Sequence, residues 1–261
     1  MSSTALITGA SQGIGKATAL LFARKGYDLV ITARTKDKLE SVAEEIRSLG
    51  VEVLAIATDV SDRSAVEALV NLGIERFSQI DVLVNNAGVC MTAPMVKTTI
   101  EDWEKIINVN LWGYIYTINT LLPHFIARGQ GNIINVGSFG GKVPLPNMTA
   151  YCTSKYAITG LTETLRLELE PQGIQVSGIH PSVTNSDFME RAVFKDSDPE
   201  QMKQMLSTPL VSQPEDVAKA IWSVVKHSQA EVVVGSAKVP TFLHRLFPGI
   251  TQGILQLGTK S

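Results

Sequence analysis

A tyrosine and a lysine, Tyr151 and Lys155, stand four residues apart in a stretch whose apolar residues recur at helical spacing. Positions i and i+4 lie on one face of a helix, so the two side chains are expected to meet. A free tyrosine has a pKa of about 10, and a nearby ammonium stabilises the phenolate and lowers that pKa. The pair would then transfer a proton to or from a carbonyl or alcohol oxygen. Chance spacing on an amphipathic helix surface is the alternative.

Ser138 and Asn110 are two further polar residues that such chemistry could use. Ser138 follows the apolar run 132–136 within the segment VGSFGG, where its hydroxyl could hydrogen-bond a substrate oxygen or simply form a turn. Asn110 shares the apolar face of a long helical pattern. Because a buried amide needs hydrogen-bond partners, Asn110 could distort the helix and hold a water linked to Lys155. Satisfaction by the local backbone is the alternative.

The stretch TGASQGIG at 8–15 directly follows a short apolar run and begins a helical pattern. Gly9 permits a sharp exit from the strand, Gly13 lets the backbone approach a pyrophosphate, and Gly15 lets the helix pack closely on the sheet. The helix N-terminus would present free N–H groups to the phosphates. The glycine spacing differs from the common GxGxxG pattern, and a purely structural turn is the alternative. The segment predicts a dinucleotide-binding site.

The apolar run at 29–32 is the second predicted strand, and the residues at its end indicate which dinucleotide is bound. Enzymes that use NAD place a carboxylate there to accept a hydrogen bond from the ribose 2′-hydroxyl. The segment ITART at 31–35 holds no acid, and Arg34 can pair bidentately with a 2′-phosphate. This favours NADP(H) as the cofactor, with an exposed arginine at the start of a loop as the alternative.

Apolar runs of strand length alternate with helical patterns along nearly the whole chain. Continuous Val, Ile and Leu character indicates strands buried on both faces, as in a parallel sheet between helix layers. The predicted strands are 5–8, 29–32, 52–57, 82–85, 132–136, 175–179 and 232–234. The predicted helices are 15–25, 36–48, 63–77, 101–128, 151–170 and 214–226. The alternation predicts the α/β class: a single doubly wound Rossmann domain over 1–261, with a seven-stranded, mainly parallel sheet between helix layers.

Composition and charge exclude several classes of protein. The chain has 261 residues, of which 44% are hydrophobic and 18% charged, so it is not intrinsically disordered. A formal net charge of −2 provides no basic surface for nucleic acid. Two cysteines and four scattered histidines argue against a disulfide framework and a metal site. No targeting segment or span-length apolar run is recognised, so a cytoplasmic location is expected.

Several motifs together resemble the short-chain dehydrogenase/reductase family. They are TGASQGIG at 8–15, NNAG at 85–88, NVNL at 108–111, Ser138 and YCTSK at 151–155, and the resemblance covers about residues 4–235. It implies a catalytic tetrad in which Tyr151 is the general acid/base and Ser138 orients the carbonyl. By the same resemblance, Lys155 binds the nicotinamide ribose and lowers the tyrosine pKa, and Asn110 supports a proton-relay water.

The resemblance also implies a set of cofactor-binding residues. Asp59 and Val60 match an adenine contact, and the segment 86–88 matches one that stabilises the sheet beside the cofactor. After the sixth strand the family has PGxVxT where this chain reads PSVTNS at 181–186, so the contacts there differ in detail. The full expected set is Gly9, Ser11, Gln12, Gly13, Ile14, Gly15, Arg34, Asp59, Val60, Asn86, Ala87, Gly88, Tyr151, Lys155, Pro181, Thr184 and Ser186.

The substrate is expected to be a small hydrophobic carbonyl or alcohol. Methionine suits adaptable apolar surfaces, and six of the seven methionines fall in segments that the fold places around the substrate. These are Met91, Met95, Met148, Met189, Met202 and Met205, accompanied by Phe139, Phe188 and Phe194. Ordinary gap-filling under loops is the alternative. The segment 182–213 interrupts the alternation of strand and helix and is predicted to be a substrate lid.

The tail at 236–261 is apolar, irregular and free of acidic residues. It could lie on a membrane, cap the pocket or pack against a partner subunit; packing is favoured and membrane contact is not expected. The resemblance implies a homodimer or homotetramer, with helices 101–128 and 151–170 forming a dimer bundle. Because the tail is unusual, the resemblance does not decide whether a second interface joins two dimers into a tetramer.

These observations favour an NADP(H)-dependent oxidoreductase that interconverts a carbonyl and an alcohol. The alternative is a sensor or scaffold that binds NADP(H) without turnover, but a sensor does not require Tyr151 and Lys155 together. An isomerase or dehydratase that keeps its cofactor bound is a third class, weakened by the lack of room for a large substrate domain.

Overall fold

The computed structural model describes residues 2–185, 188, 192–195 and 211–257. The strands are β1 (Thr4–Thr8), β2 (Asp28–Ala33), β3 (Val53–Ala57), β4 (Val82–Asn85), β5 (Met91–Thr92), β6 (Gly131–Val136), β7 (Ile174–Pro181), β8 (Val193–Phe194) and β9 (Glu231–Val234). The helices are α1 (Gly13–Arg24), α2 (Lys36–Arg47), α3 (Arg63–Phe77), α4 (Ile100–Ile107), α5 (Gly113–Arg128), α6 (Thr149–Leu169), α7 (Pro214–His227), α8 (Lys238–Leu246) and α9 (Pro248–Leu257).

Seven strands form one sheet in the order β3-β2-β1-β4-β6-β7-β9. Every pairing within it is parallel, from β2 on β3 at one side to β7 on β9 at the other. The predicted doubly wound α/β sheet is therefore confirmed. The first three strands extend the sheet to one side of β1, and the chain then crosses back so that β4 lies on the other side of β1. Doubly wound sheets bind ligands at this reversal of strand order, the switch point.

Alternating side chains of the sheet enter two separate cores. Ala5 and Ile7 pack with Phe22 of α1 and Ile221 of α7, whereas Leu6 packs with residues of α3 and α5 such as Leu69. Successive residues of a strand point to opposite faces, so both faces of a strand need an apolar partner. The continuous Val, Ile and Leu runs of the sequence follow from this burial on both sides.

The long helix expected over 101–128 is interrupted. A π-helical turn, Asn108–Trp112, stands between α4 and α5. Such turns place one extra residue in the helix and often occur at functional sites. The predicted helical segment is therefore found, and the distortion expected at Asn110 is the π-helical turn.

The tail expected to be irregular contains two helices, α8 and α9. Pro240 lies in the first turn of α8 and Pro248 begins α9, positions where a helix needs no backbone N–H donor. The expectation of an irregular tail was therefore wrong for 238–257. None of the helices in the described ranges is both long enough and apolar enough to cross a membrane.

The described part of the segment 182–213 is hydrogen-bonded to the rest of the domain. Val193 N–H donates to Cys90 O at 3.1 Å where β8 pairs with β5, and Ser182 N–H donates to Val234 O of β9 at 3.0 Å. Most of the predicted lid, including Met189, Met202 and Met205, lies outside the described residues.

Candidate active site

A cavity of about 540 Å³ opens at the carboxyl ends of the parallel strands. Its walls come from the loops after β1, β2, β3, β4, β6 and β7, together with the start of α6. Loops from six strands converge here because all strands of the sheet run in the same direction. A ligand in this cavity would lie across the switch point of the sheet.

The glycine loop, TGASQGIG at 8–15, forms one wall of the cavity, and its backbone packs closely against neighbouring backbone. Gly9 and Gly13 have positive φ angles of 67° and 54°, which side chains other than glycine rarely adopt. A Cβ at Gly15 would lie 2.2 Å from Gly9 O, so the start of α1 packs directly on the loop. The first turn of α1 has no side-chain cap from Gln12. Its backbone N–H groups are suited to phosphate oxygens.

Asn86 holds the glycine loop in place. Its Nδ2 donates to Thr8 O at 3.0 Å and to Gly9 O at 3.2 Å. The backbone N–H groups of Asn86 and Ala87 donate to Thr8 Oγ1 at 3.0 and 3.1 Å. Thr8 is a positioning residue that sequence reasoning missed, although it begins the quoted TGASQGIG segment. The segment 86–88 and the glycine loop thus form one hydrogen-bonded unit beside the cavity.

The outer end of the cavity is cationic. Arg34 is exposed just after β2, and Lys38, in the first turn of α2, lines the same end. Lys38 Nζ donates to Gln12 Oε1 at 3.4 Å. Lys38 was missed by sequence reasoning, because Arg34 precedes α2 and only the placement of that helix brings Lys38 to the same cavity. The two cations could together hold a doubly charged phosphate.

The expected adenine contacts also reach the cavity. Asp59 and Val60 line it, and Asp59 Oδ1 accepts hydrogen bonds from Ser61 N at 3.0 Å and Ser61 Oγ at 2.7 Å. Pro181 and Thr184 line the opposite end of the cavity. The predicted contact at Ser186 lies outside the described residues.

Ser138, Tyr151 and Lys155 all line the cavity. Ser138 begins a short 3-10 turn, where its Oγ accepts a hydrogen bond from Gly140 N at 3.1 Å. The Ser138 side chain is also hydrogen-bonded to Tyr151. The turn and the start of α6 thereby bring the predicted serine, tyrosine and lysine together.

Asn110 stands behind this group and is fully buried. Its Nδ2 donates to Val89 O at 2.9 Å and to Ser154 Oγ at 3.1 Å, and its Oδ1 accepts from Val89 N at 2.8 Å. These partners are distant in sequence, so satisfaction of the amide by local backbone is wrong. A Cβ at Gly88 would lie 3.4 Å from Asn110 Oδ1 and 3.8 Å from Lys155 Nζ, so both groups approach the same small space.

Lys155 is the buried cation of the site. Its Nζ donates to Val136 O at 3.0 Å and lies 5.5 Å from the centre of the Tyr114 ring and 5.9 Å from that of Tyr151. Burial lowers the pKa of Lys155 from its usual 10.5 to about 8. The ammonium is retained at neutral pH with help from the carbonyl and the two ring faces.

Burial is the largest influence on the pKa of Tyr151. It raises the pKa of Tyr151 above the usual value, and the nearby Cys90 thiol adds to the rise, while the hydrogen bond with Ser138 opposes it. The lowering of the Tyr151 pKa by Lys155 stays a prediction, because burial, which outweighs the interactions that lower the pKa, sets the net direction of the shift. Tyr151 therefore carries its proton at neutral pH.

The inner wall near Tyr151 is apolar, and the sequence predicted only part of it. Phe139, Met148 and Phe188 line the cavity, with the Phe188 ring centre 6.3 Å from that of Tyr151. Met91 lines a small adjoining pocket. The expectation was wrong for Met95, which is 56% exposed in a surface turn, and Phe194 is not in the wall. Missed members of the wall are Cys90, Leu145 and Pro146.

Within the described part of the chain, no group of three or more His, Cys, Asp or Glu side chains is placed to hold a metal ion. Both cysteines, Cys90 and Cys152, are free and buried.

The chain is similar in sequence to known dehydrogenases and reductases. Residues 3–198 match the family model described as short chain dehydrogenase. The 3-oxoacyl-[acyl-carrier-protein] reductase FabG of Staphylococcus aureus (strain N315) is 33% identical over 236 residues, which cover 90% of this chain and 95% of that protein. The glycine betaine reductase ATRR of Emericella nidulans is 35% identical over 219 residues, 83% of this chain but 17% of that longer protein.

Two solved structures share the fold over most of their length. A short-chain dehydrogenase from Sphingobium yanoikuyae in complex with NADPH is 30% identical, with a TM-score of 0.81 and coverage of 97% of this chain and 95% of that one. A short chain dehydrogenase/reductase from Burkholderia phymatum in complex with NAD is 26% identical, with a TM-score of 0.82 and coverage of 89% and 88%.

Proposed function

This chain belongs to the short-chain dehydrogenase family, and from that premise we propose that it is an NADP(H)-dependent oxidoreductase interconverting a carbonyl and an alcohol on a hydrophobic substrate. The observation that carries the proposal is the shared cavity of Ser138, Tyr151, Lys155 and the glycine loop. A proton-transfer group and a phosphate-binding loop at one site are what hydride transfer to a carbonyl requires.

The residues present fit a nicotinamide dinucleotide. Gly9 and Gly13 have positive φ angles and Gly15 packs against Gly9 O, so the first turn of α1, which has no side-chain cap, faces the cavity. When bound, the dinucleotide supplies or accepts the hydride at the carbonyl carbon. Lys155 and the 86–88 segment would hold its nicotinamide end, and the first turn of α1 would hold its phosphates.

In the proposed reduction, the protein residues handle the carbonyl oxygen. The Ser138 hydroxyl orients that oxygen by a hydrogen bond, and the Tyr151 phenol donates its proton to it as the alcohol forms. Tyr151 is protonated at neutral pH, as a proton donor in the reduction must be. Lys155, held by Val136 O, places a positive charge beside the tyrosine as the phenolate develops. We further propose that Asn110 supports a water that returns the proton.

The choice of NADP(H) rests on the cations at the outer end of the cavity. Arg34 and Lys38 lie there, and the end of β2 lacks a carboxylate for a 2′-hydroxyl. The two solved relatives bind NAD in one case and NADPH in the other, so they support a nicotinamide cofactor of either kind. The local charge is what favours the phosphorylated form for this chain.

The proposed substrate class rests on the wall beside Tyr151. Cys90, Leu145, Met148 and Phe188 present apolar surface there. A bulky apolar ketone or aldehyde would release more water from this wall than a small polar one. We expect kcat/KM to be higher for bulky apolar carbonyls, and comparable values for both classes would contradict this part of the proposal.

The test of function is oxidation of NADPH by the whole protein against a panel of carbonyl compounds. Wild-type turnover is expected on at least one apolar member, and Tyr151→Phe should lose it while still binding NADPH. Activity that survives this change would reject the mechanism. Binding of NADPH without turnover on any carbonyl would instead favour the sensor.

The proposed assembly is a homodimer or homotetramer in the cytoplasm. Trp112, Ile126, Tyr156 and Leu167, on or next to α5 and α6, are exposed large apolar side chains, 41–76% accessible, as a helix bundle between subunits would use. Two free cysteines suit a reducing compartment. Light scattering after gel filtration tests the assembly; a monomer at micromolar concentration would contradict it.

A further inference from the structure

A buried histidine with charged neighbours lies behind the Ser138 turn. His180, in β7, is 2% exposed, and its Nε2 lies 3.3 Å from Glu231 Oε1. Lys142 Nζ donates to the same Glu231 oxygen at 2.7 Å and to Glu163 Oε1 at 3.2 Å. The mechanism above uses none of these four residues. Burial of a polar ring costs free energy unless the ring is hydrogen-bonded, so the position of His180 calls for an explanation.

The imidazole fits between two glycine backbones. A Cβ at Gly137 would lie 2.7 Å from His180 Nδ1, and one at Gly178 would lie 3.0 Å from His180 Nε2. Both distances are shorter than ordinary contacts, so the ring fits only because each position is glycine. Gly137 immediately precedes Ser138, and its N–H donates to Ile179 O at 2.7 Å. The ring therefore packs directly against the backbone that leads into the catalytic serine.

The polar contacts of the cluster reach both ends of the turn that carries Ser138. His180 Nδ1 lies 3.4 Å from Ser138 O, which also accepts a hydrogen bond from Gly141 N at 3.0 Å. At the other end, Lys142 is anchored by Glu231, which His180 also touches. The direction in which Ser138 Oγ points is set by this backbone, because a side chain follows the orientation of its own Cα.

The ring is neutral at physiological pH. Burial, and then the positive charge of Lys142, lowers the pKa of His180 to about 4, although Glu231 opposes the shift. A neutral imidazole has one N–H, so His180 donates either to Ser138 O or to Glu231 Oε1, and it holds its other neighbours by packing. It is not placed to exchange protons with a substrate.

We propose that His180, in contact with Glu231 and packed between Gly137 and Gly178, is a positioning residue that fixes the backbone of Ser138 for the reaction. The inference rests on the proposed function for its catalytic consequence, since Ser138 orients the carbonyl there. Displacement of catalytic groups by about 1 Å can cost about a hundredfold in rate. Loss of the ring should therefore reduce kcat more than it affects binding of the cofactor.

The test compares His180→Ala and His180→Asn with a matched control, Ser177→Ala. Asn can place an amide atom near the position of Nδ1. Ser177 is buried on the same strand and donates to Gln229 O at 2.7 Å. For each whole protein, kcat, KM for the best carbonyl, the NADPH dissociation constant and the melting temperature are measured. Amide hydrogen exchange of Gly140 and Gly141 is followed in parallel, because Ser138 accepts from both N–H groups.

We expect His180→Ala to lower kcat at least about tenfold and to speed exchange of the two amides by about tenfold, with the NADPH dissociation constant within about twofold. His180→Asn should recover part of both losses, and Ser177→Ala should change neither. Unaltered kcat or unaltered exchange in a folded His180→Ala protein would overturn the inference, as would equal losses in the Ser177→Ala control. If no carbonyl is reduced by the wild type but exchange still accelerates in His180→Ala, the proposed function fails and the positioning role stands.

Discussion

Replacement of Lys155 by Met should make the protein more stable and inactive at once. Lys155 is 4% exposed and has a lowered pKa, so the folded chain holds a charge that water would solvate better. Methionine keeps an unbranched chain of similar length and carries no charge. Val136 O would keep a partner, because Tyr114 Oη also donates to it at 2.9 Å.

The magnitude follows from the shift of the pKa of Lys155 from 10.5 in the unfolded chain to about 8 in the folded one. One pKa unit corresponds to about 1.4 kcal/mol, so folding with a charged Lys155 costs about 3 kcal/mol below pH 8. Between pH 8 and 10.5 the unfolded chain binds more protons than the folded one, so the stability of the wild type rises with pH in that window. From pH 6.5 to 9.5 this gain amounts to about 2 kcal/mol.

The assay is urea unfolding of wild type and Lys155→Met at pH 6.5 and 9.5. Loss of the Lys155–Val136 hydrogen bond removes about 1 kcal/mol, so the variant should be about 2 kcal/mol more stable at pH 6.5. At pH 9.5 the advantage should fall to about zero. The difference in the free energy of unfolding between the two proteins cancels the contributions of the other groups that titrate in this range. Reduction of carbonyls should fall at least about a hundredfold in the variant.

Lys219→Met is the matched control, because the Lys219 side chain is 71% exposed and forms a surface ion pair with Asp216. Its effect on the free energy of unfolding should be small and nearly equal at both pH values. The reasoning is refuted if the difference between Lys155→Met and wild type does not change with pH. It is also refuted if the variant gains stability, relative to wild type, as the pH rises.

Three further predictions concern other residues of the site. Tyr151→Phe should lower kcat at least about a hundredfold with NADPH affinity within about twofold, measured by steady-state kinetics and fluorescence titration; comparable kcat would remove Tyr151 from proton transfer. Arg34→Asp should shift the ratio of kcat/KM from NADPH toward NADH by at least about tenfold, because a carboxylate repels the 2′-phosphate and accepts from a 2′-hydroxyl; an unchanged ratio would count against NADP(H) selection by Arg34. Asn110→Ala should lower the free energy of unfolding by about 2–4 kcal/mol in urea, because Val89 N–H and O lose their buried partner; a loss below about 0.5 kcal/mol would mean that those groups find other partners.

The sequence was most informative where local rules suffice. Apolar runs predicted the seven strands of the parallel sheet, because a strand buried on both faces must be apolar throughout. The glycine loop and the i, i+4 pair of Tyr151 and Lys155 were likewise readable, since both depend on residues close together along the chain. Arg34 was found by its place at the end of a strand, whereas Lys38 joined it only when α2 was built.

Other parts of the site were not accessible to that reasoning. The partners of Asn110 are Val89 and Ser154, which the chain brings near it only when the sheet and α6 are assembled. Met95 has the same residue type as Met148, yet only Met148 lines the cavity. Composition within a loop does not determine which side chain turns inward, because that depends on how the loop packs against its neighbours.

By itself, the sequence determined the fold class, the position of the glycine loop and the identity of the residues that could transfer a proton. The tertiary structure decided the protonation of those residues and what holds them in place. Burial raises the pKa of Tyr151 and lowers that of Lys155. The physical reason is that desolvation depends on all atoms packed around a group, most of them distant in sequence, whereas strand and turn patterns depend on neighbours along the chain.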